Sequence, residues 1–286
     1  MGGNFGDMSP AMQVRLGTFW KLGLTSVANV AAYRAACTIG LYRLLQPIRH
    51  WGAGSEFFCP ELSSPPSISA ESKFVLPEQA EALLGGNLRY FSDGMKHVGS
   101  PSDWLLDPFS DRQLSPGGHW TKLNEFSSAD IKTVWEASRF EWVLLLARAW
   151  RASGDSGYLD TLNQWIQDWV SRNPSNAGPN WKCGQEASIR VMHLAMAALI
   201  LGQADAPASG LVELVRIHLQ RIAPTIHYAV AQDNNHGTSE AAALFIGGSW
   251  LQSAGVQGAD RWQRQGRKWL ENRAGRLIEA DGSFSQ

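Results

Sequence analysis

The chemistry of this 286-residue chain concentrates at Asp233–Asn234–Asn235–His236, with Glu240 one helical turn beyond the histidine. Asparagine is a good helix N-cap, which accounts for one amide but not for two amides and an imidazole together. Neutral donors gathered at a helix N-terminus, assisted by the helix dipole, suit an anion. A second constellation is Lys132, Glu136 and Arg139, at i, i+4 and i+7 opposite an apolar stripe. On a lone helix that pattern is a solvated ion-pair ladder. A similar face recurs with Glu186 and Arg190 at i and i+4 in an otherwise apolar stretch. Arginines projecting into a common cleft would meet an anionic ligand there. Asn180–Trp181, just ahead, offers either an amide donor and an aromatic platform or a helix-entry turn with a core tryptophan.

Other chemistries have no carrier. The chain holds no GxxxxGK[ST] loop, no GxGxxG after a strand and no HExxH. Gly247–Gly248–Ser249–Trp250–Leu251 lacks the second glycine of a nucleophile elbow. The seven histidines show no zinc-ligand spacing, and Cys37, Cys59 and Cys183 form no CxxC pair, so neither a metal nor a cofactor is expected. Arg261, Arg264, Arg267, Lys268, Arg273 and Arg276 are interspersed with Asp260, Glu271 and Glu279, which reads as an outer solvated helix face.

The elements that must position these groups are helices. Apolar residues recur at helical spacing over 130–150, 158–170, 185–201, 211–232, 236–252 and 261–280, with Ser127 three residues ahead of Asp130 as a capping-box-like start and Pro224 as a kink. Helix pairs begin near 130, 184 and 237, a spacing that fits an α/α toroid or a helical solenoid. The predicted fold class is therefore all-α, an incomplete (α/α) toroid of antiparallel hairpins preceded by an N-terminal helical segment. That segment covers 1–51, a Ser/Pro/Gly-rich linker covers 52–72, and the toroid covers 73–286. Within 74–92, Gly85–Gly86 ends a short helix before an extended run at 88–91, and 101–126 reads as a long irregular segment.

Composition bounds the function. With 25 Lys+Arg against 26 Asp+Glu the chain is nearly neutral, which argues against nucleic acid as a partner. A hydrophobic fraction of 44% with 18% charged residues marks a globular protein. The longest uncharged N-terminal run, 22–33, is too short and too polar to span a membrane or to serve as a signal peptide, and reads as an amphipathic helix. Thirteen tryptophans stand out: Trp135, Trp142, Trp165 and Trp169 fall on core stripes, while Trp104, Trp120 and Trp181 fall in loops beside the expected cleft.

Taken in order, several of these pieces resemble the N-terminal toroid of the heparinase II/III-like polysaccharide lyases, a group that includes heparin lyases and related alginate lyases. The residues carrying the resemblance begin with Leu88–Arg89–Tyr90–Phe91–Ser92, Asp103–Trp104, Asp107–Pro108 and His119–Trp120. They continue through 130–139, Asn173–Pro174, Asn180–Trp181, Glu186 to Arg190, Asn234–Asn235–His236 with Glu240, and Asp281–Gly282–Ser283. Tyr42–Arg43 also looks like the start of bacterial members associated with surface polysaccharides, which implies a periplasmic or cell-envelope setting.

The resemblance implies β-elimination on a uronic-acid-containing polysaccharide, an anionic glycan as the partner, and no cofactor from this portion. Removing the proton at C5 requires donors that stabilise charge developing on the adjacent carboxylate. By resemblance Asn235 and His236 fill that role, with His236 a candidate base. Asn234, Glu240, Arg139, Glu136, Arg190, Glu186, Asn180, Trp181, Trp120 and His119 would line the substrate site. The family's general-acid tyrosine follows the Asp-Gly-Ser motif, and a sheet-rich C-terminal domain supplies a further histidine and sometimes a metal. Neither lies within the 286 residues, so the expectation is a lyase domain with absent or weak turnover. Two alternatives stand beside it: a non-catalytic anionic-polysaccharide-binding module, and an α/α-toroid glycoside hydrolase using two of Glu136, Glu186 and Glu240.

Overall fold

The structure, a computed structural model, describes residues 10–52, 56–59, 72–92, 94–123 and 130–284. Most of the predicted linker, and Ser127 of the predicted cap, lie outside the described residues. The fold is all-α as predicted. Helices α1 (Pro10–Ile39, two helices joined at Gly23) and α2 (Leu41–Leu45) precede α3 (Ser72–Leu84). Two short hairpins follow: β1 (Asn87–Tyr90) with β2 (Gly94–His97), and β3 (Leu106–Asp107) with β4 (Arg112–Gln113). Then come α4 (Ile131–Ala137), α5 (Glu141–Ser153), α6 (Ser156–Arg172), α7 (Gly184–Ile200), α8 (Ser209–Ile222), α9 (Ile226–Ala231), α10 (Asn235–Ser253) and α11 (Asp260–Leu277).

The toroid is built from hairpins. α5 packs on α6, α7 on α8, and α10 on α11. α5, α7 and α10 also pack side by side and form one layer, with α6, α8 and α11 outside it; α3 extends the ring beyond α5. The core follows helical periodicity: Leu159, Leu162, Ile166 and Trp169 of α6 are buried, as are Val191, Leu194 and Ala198 of α7. α10 and α11 approach most closely at glycines. A Cβ on Gly248 would stand 2.5 Å from the backbone nitrogen of Gln263, so only glycine permits this spacing.

Two predicted helices are interrupted. The single helix expected over 130–150 breaks between α4 and α5, where Phe140 takes a left-handed conformation (φ 67°). Tertiary packing overrides local preference there. The Phe140 ring is fully buried 4.8 Å from Trp169, and the indole N–H groups of Trp142 and Trp169 donate to Ala137 O and Ser138 Oγ. The expected kink at Pro224 is a 3-10 turn, Ala223–Thr225, separating α8 from α9.

The N-terminal segment is tied into the toroid. The Gln46 side chain donates to Gln220 O and Arg221 O and accepts from Trp120 Nε1, while its backbone carbonyl meets His119 Nε2 at 2.9 Å. Tyr33 of α1 stacks on Tyr228 of α9, ring centroids 3.8 Å apart and nearly parallel.

Candidate active site at the start of α10

The chain leaves α9 and turns at Asp233, in a left-handed conformation (φ 55°) that aspartate tolerates better than most residues. Asn234 then caps α10, its Oδ1 accepting from the His236 backbone N–H at 3.0 Å. The cap accounts for one asparagine, and Asn235 stands exposed beside it. Asp233 is fixed from α11: Arg273 Nη1 donates to Oδ1 at 2.7 Å and Arg276 Nη2 to Oδ2 at 2.8 Å. Burial pushes the Asp233 carboxyl up, but the hydrogen bonds from Arg276 and Arg273 prevail and hold it below its ordinary value. The predicted solvated face of the last helix holds for Arg261, Arg264, Arg267, Lys268 and Arg276, which are exposed, but not for Arg273, which is buried and clamps the turn that presents His236. Gly237 lets it pass: a Cβ there would stand 3.1 Å from Arg273 Cδ and from Val230 Cα.

His236 and Glu240 share one side of the first turns of α10 and line a cavity of about 130 Å³. Tyr33, Trp135, Tyr228, and Lys182–Cys183–Gly184 close the rest of it, with Arg221 at the base. The Cys183 sulfur lies 3.9 Å from His236 Nδ1. Burial, with the neighbouring Glu240 and Glu186, pushes the Cys183 thiol up to about 12, so it keeps its proton. Glu240 is 4% exposed, and its Oε2 has no hydrogen-bond partner. Burial pushes its carboxyl up to about 8, which the charge of Arg221 offsets only in part.

Arg221 does not pair with Glu240. Its Nε and Nη2 donate to Trp181 O and Lys182 O at 2.8 and 2.7 Å, its Nη1 to Thr225 Oγ1, and its guanidinium lies 3.9 Å from the centre of a Trp120 ring. It thereby holds the 181–183 turn against the cavity. Burial pushes the Tyr33 phenol up, so at neutral pH it is a donor.

A second polar cluster sits at the α4–α5 break. Arg139 grips Glu186 with Nε and Nη2 at 2.8 and 2.9 Å and reaches Glu136 with Nη1 at 2.5 Å. Glu136 also accepts the backbone N–H of Phe91. Because the break follows Arg139, its side chain bridges α4 and α7 instead of continuing an outward ladder. Hydrogen bonding to Glu186 raises its already high pKa. Lys132, the third member of the predicted face, is exposed.

The remaining predicted site residues lie inside the wall. Arg190 is fully buried: its Nε donates to His218 Nε2, its Nη2 to Asn180 O, and its guanidinium lies 5.0 Å from the centre of a Trp169 ring and 5.5 Å from one of Trp181. Burial disfavours both charges, and the histidine yields: His218 stays neutral, an acceptor for Arg190. Asn180 donates to Trp104 O and Asn173 Oδ1, and Trp181 to Asn173 O. Trp104, Trp120 and Trp181 are at most 1% exposed, and His119 is buried on Gln46, so the loop tryptophans form no platform. Tyr33 and Tyr42 of the N-terminal segment pack on Trp120, Trp142 and Trp165 on Trp104, and Trp169 and His218 on Trp181. Conversely Trp135, assigned to the core by its spacing, faces the cavity and donates its N–H to Pro179 O.

Sequence reasoning missed Tyr33, Lys182, Arg221 and Tyr228. The signal available for Arg221 was a lone cation on the apolar face of α8, in line with Leu214, Ile217 and His218. A larger groove of about 500 Å³, between α3, the first hairpin and α5, contains none of the candidate residues. Among the described residues no group of three His, Cys, Asp or Glu converges as metal ligands would.

Residues 88–285 match the family model described as Heparinase II/III N-terminus. Among solved structures, the chain is similar to the heparan sulfate lyase HepC from Pedobacter heparinus, with a TM-score of 0.55 and 19% identity. The match covers 91% of this chain and 36% of that one, so this chain spans little more than a third of that lyase's length. At this identity the likeness concerns the fold. No curated protein matches the chain.

Proposed function

The chain belongs to the Heparinase II/III N-terminus family, and on that premise we propose that it is the toroidal domain of a polysaccharide lyase acting on a uronic-acid-containing glycan by β-elimination. One observation carries the reading: Asn235 and His236 open α10, and His236 lines a cavity together with Lys182, Arg221 and the buried Glu240. A uronate carboxylate at that helix start would meet neutral and cationic donors and the positive end of the dipole. These are the groups that stabilise the negative charge arising when the C5 proton leaves.

Asn235 and His236 would bind the carboxylate, with His236 also a candidate base for the proton. Asp233, Arg273 and Arg276 hold both in position without touching the ligand. Arg139, Glu136 and Glu186 brace α4 against α7, while Arg190, Asn180, Trp181, Trp120 and His119 support the turn that carries Lys182. Residues 73–286 would form this domain, and 1–51 a helical segment laid against it.

The test is incubation with glucuronate, iduronate and mannuronate polymers while following ultraviolet absorbance of the new C4–C5 double bond. Weak formation of unsaturated product that disappears in H236A and N235A is the expected result. Reducing ends without the chromophore would mean hydrolysis. Binding of uronate oligosaccharides with no product would make this domain a binding module.

A further inference from the structure

Glu240 is a buried carboxyl with no employment in the fold. It is 4% exposed, its Oε2 finds no hydrogen-bond partner, and yet it lines the cavity under His236. A buried acid with a purely structural role is ordinarily paired or hydrogen-bonded. Arg221, whose charge acts on this carboxyl, does not bond it: its guanidinium donates instead to Trp181 O, Thr225 Oγ1 and Lys182 O. We propose that Glu240 reads the ligand's carboxylate as a neutral acid: its O–H donates to a carboxylate oxygen of the bound uronate, a contact its ionised form cannot make. This rests on the uronate reading above and specifies how its floor works.

The surroundings support a proton on this group. Burial alone favours the neutral form. From the neighbouring elements, the titratable and charged groups facing the cavity are Tyr33 of α1, Lys182 and Cys183 ahead of α7, Arg221 of α8, Tyr228 of α9, and His236 on its own helix. Tyr33 and Cys183 keep their protons and carry no charge. α7 meets the carboxyl with Gly184, where a side chain would collide with it, and Glu186 is taken by Arg139. α11 also packs on α10, and its buried Arg273 is taken by Asp233. An anion entering the cavity thus meets a donor at the floor, and would meet like-charge repulsion once that donor loses its proton.

The experiment measures calorimetric affinity for glucuronate and mannuronate tetrasaccharides and their carboxyl-reduced counterparts, with wild type, E240Q and E240L, between about pH 6.5 and about pH 9.5. Wild-type affinity should fall roughly tenfold or more across that range. E240Q, whose amide N–H replaces the donor without titrating, should stay within about threefold of wild type at pH 7 and lack the Glu240-dependent fall. E240L should lose about tenfold at pH 7. In infrared difference spectra of wild type against E240Q, a protonated-carboxyl band should vanish through the same pH range, without any ligand. Superimposable pH profiles for wild type and E240Q, full affinity in E240L, or no titrating band would overturn the proposal while leaving the uronate reading intact. Failure of wild type to bind either uronate, or equal binding of the carboxyl-reduced forms, would overturn that reading and the proposal with it.

Discussion

Replacing Glu240 by glutamine should leave stability nearly unchanged in mild acid and raise it at neutral and alkaline pH. The folded state holds this carboxyl's proton up to about pH 8, against an ordinary value of 4.5. Between those limits the unfolded chain releases a proton that the folded chain keeps, so wild-type stability falls as pH rises through the window and is level above it. At about 1.36 kcal/mol per unit, a shift of roughly 3.5 units sets a ceiling near 5 kcal/mol. Local relaxation lowers this, and about 2 kcal/mol by pH 8 is the least the burial implies. For a domain stable by about 5–15 kcal/mol that is a large fraction. Glutamine keeps the shape and does not titrate. Urea denaturation of both proteins at about pH 5, 6.5 and 8 reads the difference directly as a gap between midpoints that widens with pH. Parallel pH profiles would show that Glu240 is not held neutral. Greater wild-type stability at pH 8 would mean an ionised Glu240 paired with Arg221, and the account of the cavity floor would fail.

Asp233→Ala should destabilise the chain by about 3–5 kcal/mol, because it strands the buried guanidinium of Arg273, and a urea midpoint equal to wild type would refute the clamp. His236→Ala and Asn235→Ala should each lower uronate elimination by about a hundredfold or more with a wild-type denaturation midpoint, read from double-bond absorbance; retained turnover would move the chemistry away from α10. Gly248→Ala should cost about 1–3 kcal/mol by forcing α10 from α11, measured by thermal unfolding, and a neutral effect would show that the crossing has slack. Tyr33→Ala, which removes the stack on Tyr228, should cost about 1 kcal/mol in stability, and an unchanged melting temperature would show that the stack contributes nothing.

Helices α6 and α11 were legible because each carries an apolar stripe of period 3.6 that the toroid buries on one side, and α7 and α10 because each is a long, largely apolar run. The α4–α5 break was not. Nothing local marks Phe140 for a left-handed conformation; the reason is its ring packed on Trp169, twenty-nine residues away. The helix start at Asn234 was legible from residue type, since capping is a local matter. The clamp on Asp233 was not, because its arginines lie forty and more residues downstream within a helix whose many charges read as solvated surface. Arg190 shows the same limit from the other side: a cation at helical spacing looks like ligand chemistry until its partners, His218 and Asn180 O, come from other segments. The tryptophans divided by location in the chain, loop against helix, when what decides their exposure is the layer laid over them.

The wall and the floor of the cavity have different origins along the chain. His236, Glu240, Arg221 and Lys182 lie within residues 88–285, whereas Tyr33 belongs to a helix upstream of that span. The cavity is thus closed on one side by a ring from outside that span, while Trp135, Tyr228 and the charged groups come from within it. Substitutions in α1 would change the cavity wall at Tyr33 while leaving Lys182, Arg221, His236 and Glu240 untouched.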